Sequence, residues 1–263
     1  MTVDSAPRNN SSSLRRALAI LAYIADDGSR PHGLTLAELA EGVAISKSTL
    51  LRLLGPLCDS RLVEKDAASG RYRLGAQTAR LGQTYLERID AREIAHDVLI
   101  DLMESSGESV HLVVFDSPDV VYVDKVESRH PVRMYSRVGS RQPAYCTAVG
   151  KAFLMHADED VLGAVIDAGL ERRTANTITT EEWLRSTLAE GRERGFAVDD
   201  VENEPEIRCI GAPIFDHLGA VSYAISVSGP AHRVTPERVD ELGEQVKAAA
   251  AEISRRLGAP SGA

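Results

Sequence analysis

Lys47, Ser48, Thr49 and Arg52 fall beside a run of leucines, Leu50, Leu51, Leu54 and Leu57, at helical spacing. Ammonium, hydroxyl and guanidinium groups donate hydrogen bonds to phosphate oxygens and to the acceptor edges of bases. Ser46 is an N-cap type, and hydroxyl residues at a helix start place backbone N–H groups and the positive end of the helix dipole near an anion. Two more basic groups accompany this stretch. Arg15 and Arg16 open an earlier apolar run, and Arg71, Tyr72 and Arg73 form a short basic segment with an aromatic ring.

Local pattern supplies the elements that would carry these donors. Ser11–Ser13 offer N-caps, and Leu14, Leu18, Leu21 and Ile24, with Ala17 and Ala25, form an apolar stripe that ends at Asp26-Asp27-Gly28. Thr35 and Glu38 have the spacing of a capping box and open a short helix that stops at Gly42. Ser46 then caps a longer helix over Lys47–Cys58. A short helix, a Gly-containing turn and a longer helix with a polar start form the helix-turn-helix pattern. Arg61–Asp66 and Arg71–Leu74, joined by Ala67–Gly70, read as a hairpin. The ordered set predicts a winged helix-turn-helix over 12–75 that binds double-stranded DNA. Its candidate contacts are Arg15, Arg16, Thr35, Lys47, Ser48, Thr49, Arg52, Arg71, Tyr72 and Arg73. A small helical docking module with solvated charges is the competing reading.

Bulk charge argues the other way until the chain is divided. The 263 residues carry 30 Lys/Arg against 39 Asp/Glu, a formal charge of −9, which disfavours a nucleic-acid binder. Residues 1–75, however, hold ten Lys/Arg against eight Asp/Glu, and the acidic excess lies in the remainder. The length itself favours two domains. No apolar run approaches a membrane span, and the first thirteen residues show no secretory signal, so a cytoplasmic chain without membrane contact is expected. Cys58, Cys146 and Cys209 form no CxxC pair, which argues against a disulfide scaffold or a zinc ribbon.

From Gln77 to Ser106 apolar residues recur at helical spacing (Leu81, Tyr85, Ile89, then Ile94, Val98, Leu102), with a break near Asp90-Ala91. This predicts a linker helix over 76–90 leading to a second domain over 91–258. In that domain Ser109–Phe115 and Val120–Val126 read as a hairpin, Val132–Tyr135 as a third strand, and Pro143–Met155 as a loop entering a helix. Helical patterns follow near 158–168 and 180–194, and strands over Phe196–Val201, Cys209–Phe215 and Ala220–Ser228. Thr235-Pro236-Glu237 opens a last helix to about Leu257. The second domain is α+β with an antiparallel sheet, and the whole chain an α/β two-domain protein.

Catalytic motifs are weak. Ala148-Val-Gly-Lys151 has Tyr145 and Ala152 where a phosphate-binding loop needs Gly and Ser/Thr. His111, His130, His156, His217 and His232 lack metal-ligand spacing, and no partner His is indicated for Cys146. Ligand binding without chemistry and without a cofactor is the expectation.

The order of motifs resembles the IclR family of bacterial transcriptional regulators from about Ser12 to Leu257. The carrying segments are Ser13–Leu21, Leu36–Ala40, Ser48–Leu54, Tyr72–Gly75, Gly139–Pro143, Cys146–Ala152, Arg194–Phe196, Ala212–Phe215 and Ile225–Pro230. The resemblance implies a winged helix-turn-helix joined by a linker helix to a GAF-like effector domain. It also implies homodimers or homotetramers on palindromic operators, and small organic acids or aromatic catabolites as effectors. By position it places pocket polar groups on Asp199, Cys209, Ser226 and Ser228, and an apolar wall on Met134. The Ala148-Val149 backbone would offer N–H groups to a carboxylate. Gln142 stands where an apolar residue is common in the family, which points to a hydrogen-bonding or larger ligand. Ser226 and Ser228 flank Val227 and share one strand face, either pocket or solvent. Asp199 either lines the pocket or caps the turn near Asp200. A constitutive DNA binder whose second domain only oligomerises, and a cysteine-dependent enzyme, are the remaining alternatives.

Overall fold

Thr35 starts its helix by satisfying two backbone donors at once. Its Oγ1 accepts from the Glu38 N–H at 3.2 Å, and its own N–H donates to Glu38 Oε2 at 2.7 Å. In the computed structural model the described residues are 12–26, 33–86, 90–132, 134 and 136–260. The chain divides into two units between Ile89 and Asp90.

The first unit runs α1 (Ser12–Asp26), α2 (Leu36–Gly42), α3 (Lys47–Asp59), β1 (Val63–Lys65), β2 (Tyr72–Leu74) and α4 (Ala76–Leu86). Ser46 caps α3 by accepting from the Thr49 N–H at 3.3 Å. β1 and β2 pair antiparallel, and Leu34 bonds to Tyr72 in both directions at 2.9 and 2.7 Å, which ties the wing to the approach to α2. One core gathers Ile20, Leu39, Leu50, Leu54, Val63 and Tyr72.

Two expected stripes are corrected. Leu14 and Leu18 are 53% and 55% exposed, and the buried face of α1 centres on Ile20 and Ile24 with Ala17 and Leu21 beside them. At 3.6 residues per turn the two leucines sit roughly 120–160° round the helix from Ile20. In α3, Leu51 is 51% exposed, while Leu50, Leu54 and Leu57 hold the core positions at i, i+4 and i+7. Ser11, Asp27, Gly28 and Ile89, which the sequence placed at helix ends and in the linker stripe, lie outside the described residues.

The second unit begins with α5 (Ala91–Ser106), started by Asp90, whose side chain accepts from the Arg92 N–H, and stopped by Gly107 in the left-handed region. A six-stranded antiparallel sheet follows in the order β5-β4-β3-β8-β7-β6. Its strands are β3 (Ser109–Asp116), β4 (Asp119–Val126), β5 (Arg141–Pro143), β6 (Ala197–Asp200), β7 (Ile207–Phe215) and β8 (Val221–Pro230). Between β5 and β6 lie α6 (Ala148–Leu154), α7 (Glu159–Asp167) and α8 (Glu181–Arg194), and α9 (Val239–Arg256) closes the unit. The third strand expected over Val132–Tyr135 includes residues 133 and 135, which lie outside the described set, and neither Val132 nor Met134 is in a strand. The edge strand is Arg141–Pro143 instead.

Register decides which side chains share a face. Ser109, Ser228, Cys209 and Asp199 lie opposite one another across four strands, and so do Lys125, His111, Ser226, Gly211 and Ala197 across five. Both rows project from one face, because the row between them carries Val110, Val227, Ile210 and Val198. Seven consecutive residues of β7 are buried, so both faces of the sheet are covered. α6 sits over the serine face at Gly211, where a Cβ would come within 2.9 Å of the Ala148 carbonyl carbon. α5 and α9 pack on each other and on β3, β7 and β8. No described helix is long and apolar enough to cross a membrane.

Gly150 shows how closely α6 is seated. A Cβ there would stand 2.3 Å from the Ala144 Cα and carbonyl oxygen, and backbone yields less readily than a side chain. Gly150→Ala is therefore expected to lower the free energy of unfolding by about 1–3 kcal/mol or more, as overpacking does. Chemical denaturation read in the second unit checks this, and an unchanged midpoint would show that α6 shifts freely.

Candidate functional site

The first unit presents its donors on α3. Ser48, Leu51, Arg52 and Gly55 share the exposed face, with Lys47 at its start. Ser46 Oγ reaches Thr49 Oγ1 at 3.0 Å and Ser48 Oγ at 3.2 Å, so three hydroxyls cluster at the helix N-terminus. Lys47, Arg52, Arg15 and Arg16 are exposed and make no ion pair among the described residues.

The wing divides its three candidates. Tyr72 is 4% exposed and packs in the core with Lys65 over its ring at 5.6 Å, which corrects its assignment to the DNA surface. Arg71 turns back, donating to the Gly33 carbonyl at 2.8 Å and meeting Glu38 at 3.5 Å. Arg73 faces outward beside Glu64 at 3.4 Å. Thr35, half-buried, spends its hydroxyl on the capping box.

In the second unit the structure brings the family-implied residues onto one side of the sheet. Ser226 and Ser228 are each 2% exposed, with Oγ atoms 3.3 Å apart, so their face is interior. Met134, Ala148 and Cys209 touch in one small apolar cluster edged by Ile207. Val149 packs with the larger core beneath α6. Gln142 stands at the margin, its Oε1 accepting from Asn203 Nδ2 at 3.4 Å, while Asn203 Oδ1 accepts from the Cys146 thiol at 3.6 Å.

Asp199 caps the turn that follows it and also shares the face of the serines. It lies in the serine row, and its Oδ1 accepts from the Glu202 and Asn203 N–H groups at 2.7 and 3.3 Å, holding the turn after β6. Burial pushes its carboxyl up to about 7, with Lys151 opposing the rise and Glu202 adding to it. A protonated Asp199 removes the repulsion that an ionised carboxylate would exert on an acidic ligand. Lys151 is wholly buried and bonded to Glu202, a pairing that a lysine in such a place requires. Burial pushes the Cys146 thiol up to about 12, and the Cys209 thiol is also raised by burial, so neither is a thiolate near neutral pH. Among the described residues no group of three His, Cys, Asp or Glu is placed to hold a metal ion.

Comparison with known proteins gives the family. The IclR helix-turn-helix domain matches residues 13–67, and the C-terminal domain of bacterial transcriptional regulator IclR matches residues 83–255. The chain belongs to the IclR family. It is a transcriptional regulator with a DNA-binding helix-turn-helix unit and a C-terminal effector domain, and its family binds operator DNA and small-molecule effectors. It is 34% identical over 249 residues to the HTH-type transcriptional regulator KdgR of Escherichia coli, covering 94% of this chain and 93% of that one. It is likewise 34% identical over 249 residues to the transcriptional repressor IclR of the same species, covering 94% and 90%. The crystal structure of the repressor BlcR of Agobacterium tumefaciens superposes with a TM-score of 0.78 at 30% identity, covering 96% of this chain and 99% of that one.

Sequence reasoning on this IclR-family chain missed three features. Leu51 joins the exposed face of α3, a placement that the i, i+4, i+7 spacing of the other leucines already contained. His111 stands opposite Ser226 and was noticed only as a histidine without metal-ligand spacing. The Lys151–Glu202 pair had no signal in spacing, because 51 positions separate its members.

The raised carboxyl of Asp199 has a sign that stability measurements can read. In the unfolded chain an aspartate titrates near 3.9. The folded state therefore binds the proton more tightly, and its contribution is complete below about pH 4 and declines as pH rises to about 7. Asp199→Asn keeps an Oδ1 acceptor for the turn and has nothing to ionise. Its unfolding free energy is expected to gain on the parent's between pH 4 and 8. A pH-independent difference between the two proteins contradicts the raised value.

Proposed function

We propose that this IclR-family regulator acts in the cytoplasm as a homodimer or homotetramer on a palindromic operator, with α3 in the major groove. In this reading Arg52, Thr49, Ser48 and Lys47 make base or phosphate contacts, and Leu51 adds an apolar contact of the kind that meets a thymine methyl. Arg15, Arg16 and Arg73 add phosphate contacts. The supporting observation is the two-sided character of α3. Leu50, Leu54 and Leu57 are buried in the core, while Ser48 and Arg52 occupy the opposite side of a capped helix, Arg52 with no ion pair among the described residues.

The second unit would take a small organic acid or aromatic metabolite on its serine face and shift the chain between dimer geometries of different half-site spacing. Support comes from the buried Ser226–Ser228 pair, from Asp199 in the row of Ser228, whose carboxyl burial raises to about 7, and from Gln142, a polar group at the margin. The protein performs no catalysis in this reading, consistent with the protonated state of its two buried thiols.

Arg52→Ala tests the DNA reading. Operator affinity at fixed salt is expected to fall by about 1–3 kcal/mol if the guanidinium reads a base. Titration of labelled operator at one salt concentration measures it, and an unchanged affinity removes Arg52 from the interface.

A further inference from the structure

His111 of β3 is fully buried, and its ring stands 5.0 Å from that of Tyr122. Its Nε2 shares a hydrogen bond of 2.8 Å with Ser136 Oγ. Its Nδ1 is buried and meets no hydrogen-bond partner among the described residues. Native interiors leave few polar atoms in that condition, and each asks for a reason.

The ring is neutral near pH 7, because burial, and then the charge of Lys125, hold it at about 4. A neutral imidazole carries its proton on one nitrogen only. If Nε2 donates to Ser136, Nδ1 is a bare acceptor; if Nε2 accepts, Nδ1 is a donor. A hydroxyl satisfies either state. A carboxylate satisfies only the second, and an alkyl group neither.

Strand register places a serine beside this side chain. His111 pairs directly with Ser226 on β8, so the two side chains share a face with Cβ atoms about 5 Å apart. Ser226 and Ser228 present two hydroxyls, which rotate to donate and so suit a carboxylate oxygen. Lys125 lies next in the same row, but its ammonium is engaged by the Ser136 carbonyl at 2.6 Å and Glu127 at 2.7 Å. A ligand whose carboxylate and hydroxyl sit on neighbouring carbons suits recognition groups on two directly paired residues.

We propose that the effector of this chain is a 2-hydroxy carboxylate, its carboxylate meeting Ser226 and Ser228 and its hydroxyl meeting His111 Nδ1. The assignment rests on the serine face being the effector site. It makes His111 the residue that separates a hydroxy acid from its deoxy counterpart.

Matched pairs of acids test it on the full chain: glycolate against acetate, lactate against propionate, and mandelate against phenylacetate. Calorimetric affinities are expected to favour the hydroxylated member of any pair that binds by about tenfold, the worth of one hydrogen bond to a buried partner. His111→Phe keeps the ring and removes both nitrogens, and is expected to bring the ratio near one while leaving the deoxy acid within about threefold. Ser136→Ala removes the Nε2 partner, keeps Nδ1, and is expected to retain the preference. This second variant guards against misfolding of the first. Nitrogen-15 NMR of the His111 side chain should show Nδ1 moving with lactate and not with propionate. Equal affinities within a pair, as when water occupies the position beside Nδ1, overturn the inference and leave the acid-effector reading standing. A preference that survives His111→Phe overturns it as well. If no acid of either kind binds, the acid-effector reading fails and the inference falls with it.

Discussion

A lysine with no exposed surface has to meet a carboxylate, and in this protein Lys151 meets Glu202. That requirement joins the short α6 to the turn after β6 across the serine face of the sheet. Glu202 also accepts from the Asp200 N–H at 3.2 Å, and Asp199 holds the Glu202 and Asn203 N–H groups from the other side. Asn203 in turn reaches Gln142 and Cys146. The polar margin of the serine face thus hangs on one buried ion pair and the turn it fixes. Gly211 and Gly150 are the matching steric conditions, since any side chain at either position would lift α6 away from the sheet or from Ala144.

The first unit is organised by a different constraint. Its secondary structure is short, and each piece is closed by a local device: the Thr35–Glu38 box, the Ser46 cap, and the Asp66 side chain that gathers the Ala68 and Ser69 N–H groups at the wing tip. Such devices hold a seven-residue helix and two three-residue strands in place with a small core. They leave α3 free to show its donors to an outside partner. The formal charge of −9 is compatible with that role, because the acidic excess belongs to the residues beyond 75.

The same contrast explains what the sequence made legible. Caps, turns and the hairpin of the first unit involve residues two to twelve apart, so their spacing is visible in the string. Leu14 and Leu18 misled because α1 is apolar over more than half its circumference, and periodicity alone cannot choose which arc is buried. Tyr72 alternates with Arg71 and Arg73, so the two-residue period of a strand already set it on the other face. In the second unit Ser226, Ser228, Cys209 and Asp199 were reached through family resemblance and converge on one face. His111 was not, because its place beside Ser226 depends on a β3–β8 pairing between residues more than a hundred positions apart. Arg141–Pro143 gives no strand signal, because three residues with a terminal proline carry no alternation to detect.

In the proposed division of labour, α3 grips DNA and the serine face decides when. Operator affinity with and without a bound acid, compared between the parent and a Ser226→Ala/Ser228→Ala double variant, measures that division directly. The double variant should bind operator as the parent does in the absence of acid, and should no longer respond when acid is added. A double variant that still shifts its operator affinity like the parent would contradict the placement of effector control on this face.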